Sequence, residues 1–159
     1  MKKILTLILF AVTLTTALHA QQARPYDPSR NAMQQIDEAV ALAQKTGRYV
    51  LCQVGYNACP WCLRFAQYAD TCQAVHQLID SNFVYIHVNY SKENRNPEAM
   101  KRLANPARFG FPVFVILDEK GQPIHIQNSA YLEEGKGYSR SLVLGFLNHW
   151  TPKAVTTLK

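Results

Sequence analysis

What the 159-residue chain has little of narrows its class. Cysteine is scarce, four in all, far below the roughly 8–10% that marks a small secreted scaffold stapled by disulfides. Glycine and proline number 7 and 8, too few for a collagen-like or low-complexity chain. No basic run occurs. The 17 Lys and Arg are scattered among 11 Asp and Glu, so nucleic acid is not an expected partner. No apolar stretch reaches the roughly 20 residues that a bilayer span needs. Gly135-Lys136-Gly137 is too short to cradle a phosphate. There is no internal repeat. What is present is a core: 48% of residues are hydrophobic and 11% aromatic, enough for one packed domain at this length.

Residues 1–20 read as a secretory leader. Lys2 and Lys3 supply its positive start, residues 4–14 its mostly apolar middle, and Leu18-His19-Ala20 a small residue before Gln21. Cleavage after Ala17 is the fallback. No cysteine follows the cleavage point, so a lipid anchor there is not expected. The two leader lysines take the formal charge from +6 to +4. The expectation is a periplasmic or secreted protein with no stable membrane insertion once the leader is gone. Residues 21–30 form a polar arm, residues 31–150 the domain, and residues 151–159 a tail.

Within the domain the apolar spacing gives an element order. Met33, Ile36, Val40 and Ala43 recur at helical spacing, with Asp27, Ser29 and Asn31 as candidate caps and Gly47 as a stop. Residues 49–54 are a short apolar strand with little alternation, which suits a strand covered on both faces. Residues 59–69 and 73–79 read as helical. Residues 83–88 read as a strand, 97–104 as a short helix, and 112–117 and 124–127 as a hairpin. Residues 129–138 are a glycine-containing loop. A last helix, capped by Ser139, carries Val143, Phe146, Leu147 and Trp150 on one face. Strands separated by helices imply a parallel pair, and the closing hairpin an antiparallel one. The fold class is therefore α/β, with a mixed central sheet, helices on both faces and an extra N-terminal helix.

The chemistry concentrates at Cys59-Pro60-Trp61-Cys62, directly after the first strand and at the start of a helix. Pro60 takes the first helical position, where a missing N–H costs nothing. Unpaired N–H groups and the positive end of the helix dipole face Cys59 and favour its thiolate. Cys62 lies one turn on, placed to attack a mixed disulfide formed at Cys59. A Cys-x-x-Cys pair at such a junction is a much stronger signal than the spacing alone. Phe109-Gly110-Phe111-Pro112 leads straight into a strand, and proline is tolerated at that first strand position.

With these residues the chain resembles the thioredoxin-like superfamily over roughly residues 32–150. The likeness is greatest to small exported bacterial members akin to the C-terminal domain of the transmembrane thiol–disulfide interchange protein. The resemblance implies a thioredoxin-like fold and thiol–disulfide oxidoreductase activity without a cofactor. It implies that Cys59 is the exposed nucleophile and Cys62 the resolving thiol. It also implies that Pro112 follows a cis bond beside the pair and that Phe111 offers backbone hydrogen bonds to substrate. Trp61, Phe111 and Pro60 would contact that substrate, with Tyr131 a further candidate for an apolar groove. The implied partners are protein thiols or disulfides and a redox protein that resets the pair. A monomer is expected, since no dimer signal is present. Direction is divided: Pro60-Trp61 points to an oxidising pair and the interchange-protein likeness to a reducing one, and we adopt the reductase.

Two departures from the superfamily pattern stand out. Gln53 lies six residues before Cys59, where thioredoxin has a buried aspartate, so proton transfer at Cys62 needs water or another group, with Glu133, Glu134 and Lys136 as candidates. The loop 129–138 is also longer than its counterpart. Outside the pair, Cys52 reads as a core residue, and Cys72 as a partly buried free thiol, a third redox participant or a pairing partner. His87 and His125 read as structural. Arg64 lies one turn beyond the pair. Two rival functions remain: a binding module on the same fold with a static disulfide, and a zinc site from Cys59, Cys62, Cys72 and His76, whose ligand types and spacings could hold the metal tetrahedrally.

Overall fold

The computed structural model describes residues 24–157. The leader, its cleavage point and residues 21–23 of the arm lie outside the described residues. The chain runs α1 (Ala32–Thr46), β1 (Tyr49–Gly55), α2 (Pro60–Thr71), α3 (Gln73–Asn82), β2 (Phe83–Asn89), α4 (Pro97–Arg102), β3 (Val113–Leu117), β4 (Pro123–Asn128), β5 (Glu133–Glu134), β6 (Gly137–Tyr138), α5 (Arg140–His149) and α6 (Pro152–Thr156). Two 3-10 turns, Pro106–Phe109 and Ser129–Leu132, complete it. The order expected from the apolar spacing is present.

The main sheet is ordered β2-β1-β3-β4. β1 runs parallel to β2 and antiparallel to β3, and β3 pairs antiparallel with β4. The sheet is therefore mixed, with β1 paired on both edges. All seven β1 residues are buried, which explains why its sequence lacks polar alternation.

Side chains of a strand alternate between faces, and the two cores divide accordingly. Val50, Cys52 and Val54 join α1, α4, Val113, Val115 and Leu117 on one face. Tyr49 and Leu51 join Phe65 of α2, Val75 and Ile79 of α3, Phe114, Ile116 and the apolar face of α5 on the other. Gln53 shares the phase of Tyr49 and Leu51, so it points under α2.

The helix ends follow their local signals. Asn31 caps α1 by accepting from the Gln34 N–H at 3.1 Å, and Gly47 stops it with φ +65°, a left-handed conformation that suits glycine. Ser139 stands at the N-cap of α5 but makes no side-chain capping bond. Three expectations are corrected. The loop 129–138 is a 3-10 turn followed by the β5–β6 hairpin. The tail carries α6, capped by Thr151, whose Oγ1 accepts from the Ala154 N–H at 3.2 Å. The polar arm is tied down: Tyr26 N–H donates to Asn57 Oδ1 at 3.2 Å, Asn57 Nδ2 donates back to Tyr26 O at 2.6 Å, and the Tyr26 ring is buried. Among the described residues no helix is long and apolar enough to cross a membrane.

Candidate active site

β1 ends at Gly55, and residues 56–58 turn the chain into α2, whose N-cap is Cys59. Cys59 Sγ accepts a hydrogen bond from the Cys62 N–H at 3.2 Å. The cysteine thus takes the capping role that a serine or aspartate often fills, satisfying one orphan donor of the helix. In the reduced state the same N–H and the helix dipole favour a thiolate at that sulfur. Pro60 is exposed at the first helical position, and Cys59 and Cys62 are joined as a disulfide with Cα atoms 5.3 Å apart. Cys62 is fully buried and Cys59 retains 5% exposure. The sequence led us to expect an openly exposed Cys59. The sulfur is instead largely covered, because Tyr56, Trp61 and Phe111 pack around the pair.

Trp61 is half-buried rather than free. Its ring meets Tyr138 edge-on at 5.6 Å, its carbonyl accepts from the Tyr138 hydroxyl at 3.1 Å, and the Arg64 guanidinium lies 4.5 Å over it. Arg64 is therefore engaged in a cation–π contact. Phe111 stands on the other side of the pair, between Tyr56 and Tyr90. The Phe111–Pro112 peptide bond is cis, and Pro112 is buried at the foot of β3. The groove expected from Trp61, Phe111 and Tyr131 does not form as a unit, since Tyr131 stands apart, 74% exposed. A different groove of about 790 Å³ borders the pair, lined by Arg24, Tyr56, Asn57, Ala58, Leu63 and Asn89. Asn89 is 2% exposed, and its Oδ1 has no partner among the described residues.

Beneath Cys62 lies a buried polar chain. Gln53 Nε2 donates to the Cys62 carbonyl at 2.9 Å and to the Tyr26 hydroxyl at 2.5 Å, while Gln53 Oε1 accepts from the Tyr85 hydroxyl. His87 sits against both rings, 5.3 Å from Tyr26 and 4.6 Å from Tyr85. Burial pushes the Tyr26 and Tyr85 hydroxyls far above the ordinary phenol range, so both stay neutral. Burial also drives His87 down to about 4, against the opposing pull of Asp70. The candidate proton groups of the longer loop are not part of this chain. Glu133 accepts from Ser129 Oγ, and Glu134 and Lys136 are exposed.

Gly55 is required here by close approach. A methyl group on its Cα would lie 2.6 Å from Cys62 Sγ and 2.8 Å from the Tyr26 hydroxyl oxygen. Tyr26 and Gly55 were missed as site residues. Two signals were available: Tyr26 is the lone aromatic in a polar arm, and Gly55 continues the phase of β1 that faces α2.

The remaining cysteines lie away from the pair. Cys52 is fully buried on the α1 face, and burial pushes its thiol up to about 12. Cys72 is free and half-buried at the junction of α2 and α3. The neighbouring Tyr68 hydroxyl lowers its pKa, helped by the Val75 N–H and Arg140 and opposed by burial. The four-ligand zinc arrangement is overturned by this placement. Cys59 and Cys72 cap opposite ends of a 12-residue helix, about 18 Å at 1.5 Å per residue. Among the described residues no three His, Cys, Asp or Glu come together to hold a metal. His125 stacks on Trp150 with centroids 4.2 Å apart, a packing role.

A mixed sheet flanked by helices, with a disulfide-forming Cys-x-x-Cys pair at the first strand–helix junction, defines a thioredoxin-fold protein. The thioredoxin-like family model matches residues 31–119, more than half of the chain, and the protein belongs to that family. Two solved structures share the fold. One is a disulphide isomerase from Xylella fastidiosa Temecula1, with TM-score 0.70 and 22% identity, covering 79% of this chain and 95% of that one. The other is a thioredoxin from Thermus thermophilus, with TM-score 0.57 and 23% identity, covering 84% and 92%. Among curated proteins none matches the sequence.

Proposed function

We propose that the protein is an exported thiol–disulfide oxidoreductase that acts on protein substrates as a disulfide reductase. The observation that carries the reading is the Cys59–Cys62 pair at the N-terminus of α2, with Cys59 as the N-cap and the less buried of the two residues. The Cys59 thiolate attacks a substrate disulfide, forming a Cys59–substrate bond and releasing one substrate thiolate. Cys62 then attacks Cys59 Sγ, the second substrate thiolate leaves, and the pair ends oxidised by two electrons. A redox partner protein returns those electrons. The cycle as written uses no metal or organic cofactor.

Trp61 and Phe111 flank the pair, and with exposed Pro60 they form the rim that a substrate backbone meets. Pro112 fixes the Phe111 backbone beside the sulfurs. The groove lined by Tyr56, Asn57 and Ala58 adjoins Cys59 and extends that rim. The reducing direction rests on the family likeness, and export to the periplasm or medium rests on the leader read from residues 1–20. The protein works as a monomer in this scheme.

Two cysteine variants test the reading. Cys59→Ser abolishes turnover of a disulfide-bonded test protein, whereas Cys62→Ser accumulates a covalent adduct at Cys59 that mass spectrometry detects. Full turnover by Cys59→Ser overturns the mechanism. One observation favours the static-disulfide alternative, namely the near-complete cover over both sulfurs. A Cys59–Cys62 bond that survives mild reductant in the folded protein would establish it.

A further inference from the structure

The arm residue Tyr26 brings a buried hydroxyl to Gln53, which also holds the Cys62 carbonyl. The Gln53 amide has one consistent assignment: both N–H groups are used, one on the Cys62 carbonyl and one on the Tyr26 oxygen, and its oxygen accepts from Tyr85. The Tyr26 oxygen is thus an acceptor, and its own proton has no acceptor among the described residues. Tyr26 is 1% exposed, so water does not readily take that proton. Gly55 locates a candidate acceptor. Since the same methyl position is 2.6 Å from Cys62 Sγ and 2.8 Å from the Tyr26 oxygen, the two atoms lie within about 5.4 Å of each other. In the disulfide state Cys62 Sγ is a poor acceptor. Opening the bond turns it into a thiol or thiolate, and a thiolate is a strong one.

Building on the oxidoreductase reading, we propose that Tyr26 serves the resolving cysteine: its hydroxyl, held by Gln53, donates a hydrogen bond to the Cys62 sulfur once the disulfide opens and stabilises the thiolate that attacks Cys59. In that step the Cys62–Cys59 bond forms, the Cys59–substrate bond breaks, and the substrate sulfur leaves with the electron pair. The Cys62 proton is released to solvent before the attack, and the departing substrate thiolate takes one up from solvent afterwards. Tyr26 remains a neutral phenol throughout and acts as donor, not base. Gln53 is its positioning residue, and the arm is its carrier through the Asn57 clasp.

The ionisable groups around the pair are few. Tyr85 and His87 face it from β2, Tyr138 from β6, Tyr56 from the turn between β1 and α2, and Cys59 from α2, with Asp70 and Arg64 further along α2. Tyr26, Tyr85 and Tyr138 stay protonated and His87 stays neutral at physiological pH. A change confined to the Tyr26 hydroxyl leaves all of them in place.

The test is Tyr26→Phe, which keeps the ring and removes the donor. A hydrogen bond to a charged acceptor is worth enough to change the Cys62 thiolate fraction about 10- to 100-fold. The more basic thiolate that remains recovers about half of that on a logarithmic scale, because nucleophilicity rises with basicity. The probe is 5,5′-dithiobis(2-nitrobenzoate) added to reduced protein in a Cys72→Ser background. The first thionitrobenzoate released reports attack by Cys59, and the second reports resolution by Cys62.

The expected result is an unchanged first phase and a second phase about 3- to 10-fold slower at neutral pH. The pH–rate profile of the second phase shifts upward, and the variant equals or overtakes the parent once both thiols are ionised. A structural defect produces no such crossover. Equal second phases, or both phases slowed alike at every pH, overturn the inference. Absence of a second phase in the parent protein overturns the oxidoreductase reading itself.

Discussion

Cys52 and Gln53 are neighbours in β1 and face opposite layers, and the two layers do different work. The α1 face is apolar around Cys52, which is sealed among valines and alanines, and its one buried side-chain amide on α1, Gln35, is spent on the His87 carbonyl. Its thiol is pushed up to about 12 by burial, which leaves it inert. The α2 face holds an apolar core at one end and, beneath the redox pair, a hydrogen-bonded chain of Gln53, Tyr26 and Tyr85 with His87 against it. Sulfur on one side of the strand is packing; on the other it is chemistry. The difference comes from the helix N-terminus and the polar groups under it, not from burial, because Cys62 is as buried as Cys52.

The largest break in that comparison is expected from Gly55→Ala. The added methyl meets Cys62 Sγ at 2.6 Å and the Tyr26 hydroxyl oxygen at 2.8 Å, and neither is the free end of a flexible chain. Overpacking of this kind costs about 3 kcal/mol, read as a lower urea midpoint, and displaces the arm. An unchanged midpoint would mean that the α2 face is looser than its geometry implies.

His87 gives the next effect, and it is pH-dependent. Its pKa in the folded chain is about 4, below the ordinary 6.5, so the unfolded chain binds the extra proton between those values. Stability is therefore full above about pH 6.5 and declines as pH falls toward 4. The loss is about 2 kcal/mol between pH 7 and 4.5. His87→Leu flattens this slope in denaturant melts at the two pH values, and an equal slope in both proteins would contradict the assignment. The smallest effect is expected on the opposite face. Cys52→Ala costs about 1 kcal/mol of packing and leaves the redox midpoint of Cys59–Cys62 unmoved. A shifted midpoint would mean that the two faces are coupled through β1.

The features legible in the sequence are those written locally. The strand–helix junction at Cys59, Pro60 at the first helical position and Gly47 as the stop of α1 each depend on neighbours within a few residues. The two strand phases follow from β1 alone. What was not legible depends on long-range contacts. Tyr26 reaches Gln53 across 27 positions and Tyr138 reaches Trp61 across 77, and nothing in a polar arm or a glycine-containing loop announces either contact. The zinc alternative failed for the converse reason. Cys72 and His76 have suitable ligand spacing, but the rigid length of α2 separates them from Cys59. The cover over Cys59 was also missed, because it comes from Tyr56 and Phe111 on separate loops meeting Trp61.

The most direct test of the central claim is a redox titration of the Cys59–Cys62 pair in thiol–disulfide buffers, read by alkylation and mass spectrometry. The account predicts a reversible two-electron transition at these two cysteines, with Cys52 and Cys72 unchanged and a midpoint on the reducing side, about −270 mV. A midpoint of about −120 mV would keep the oxidoreductase and reverse its direction. A pair that stays oxidised across the whole range would contradict the account and make the disulfide a structural staple.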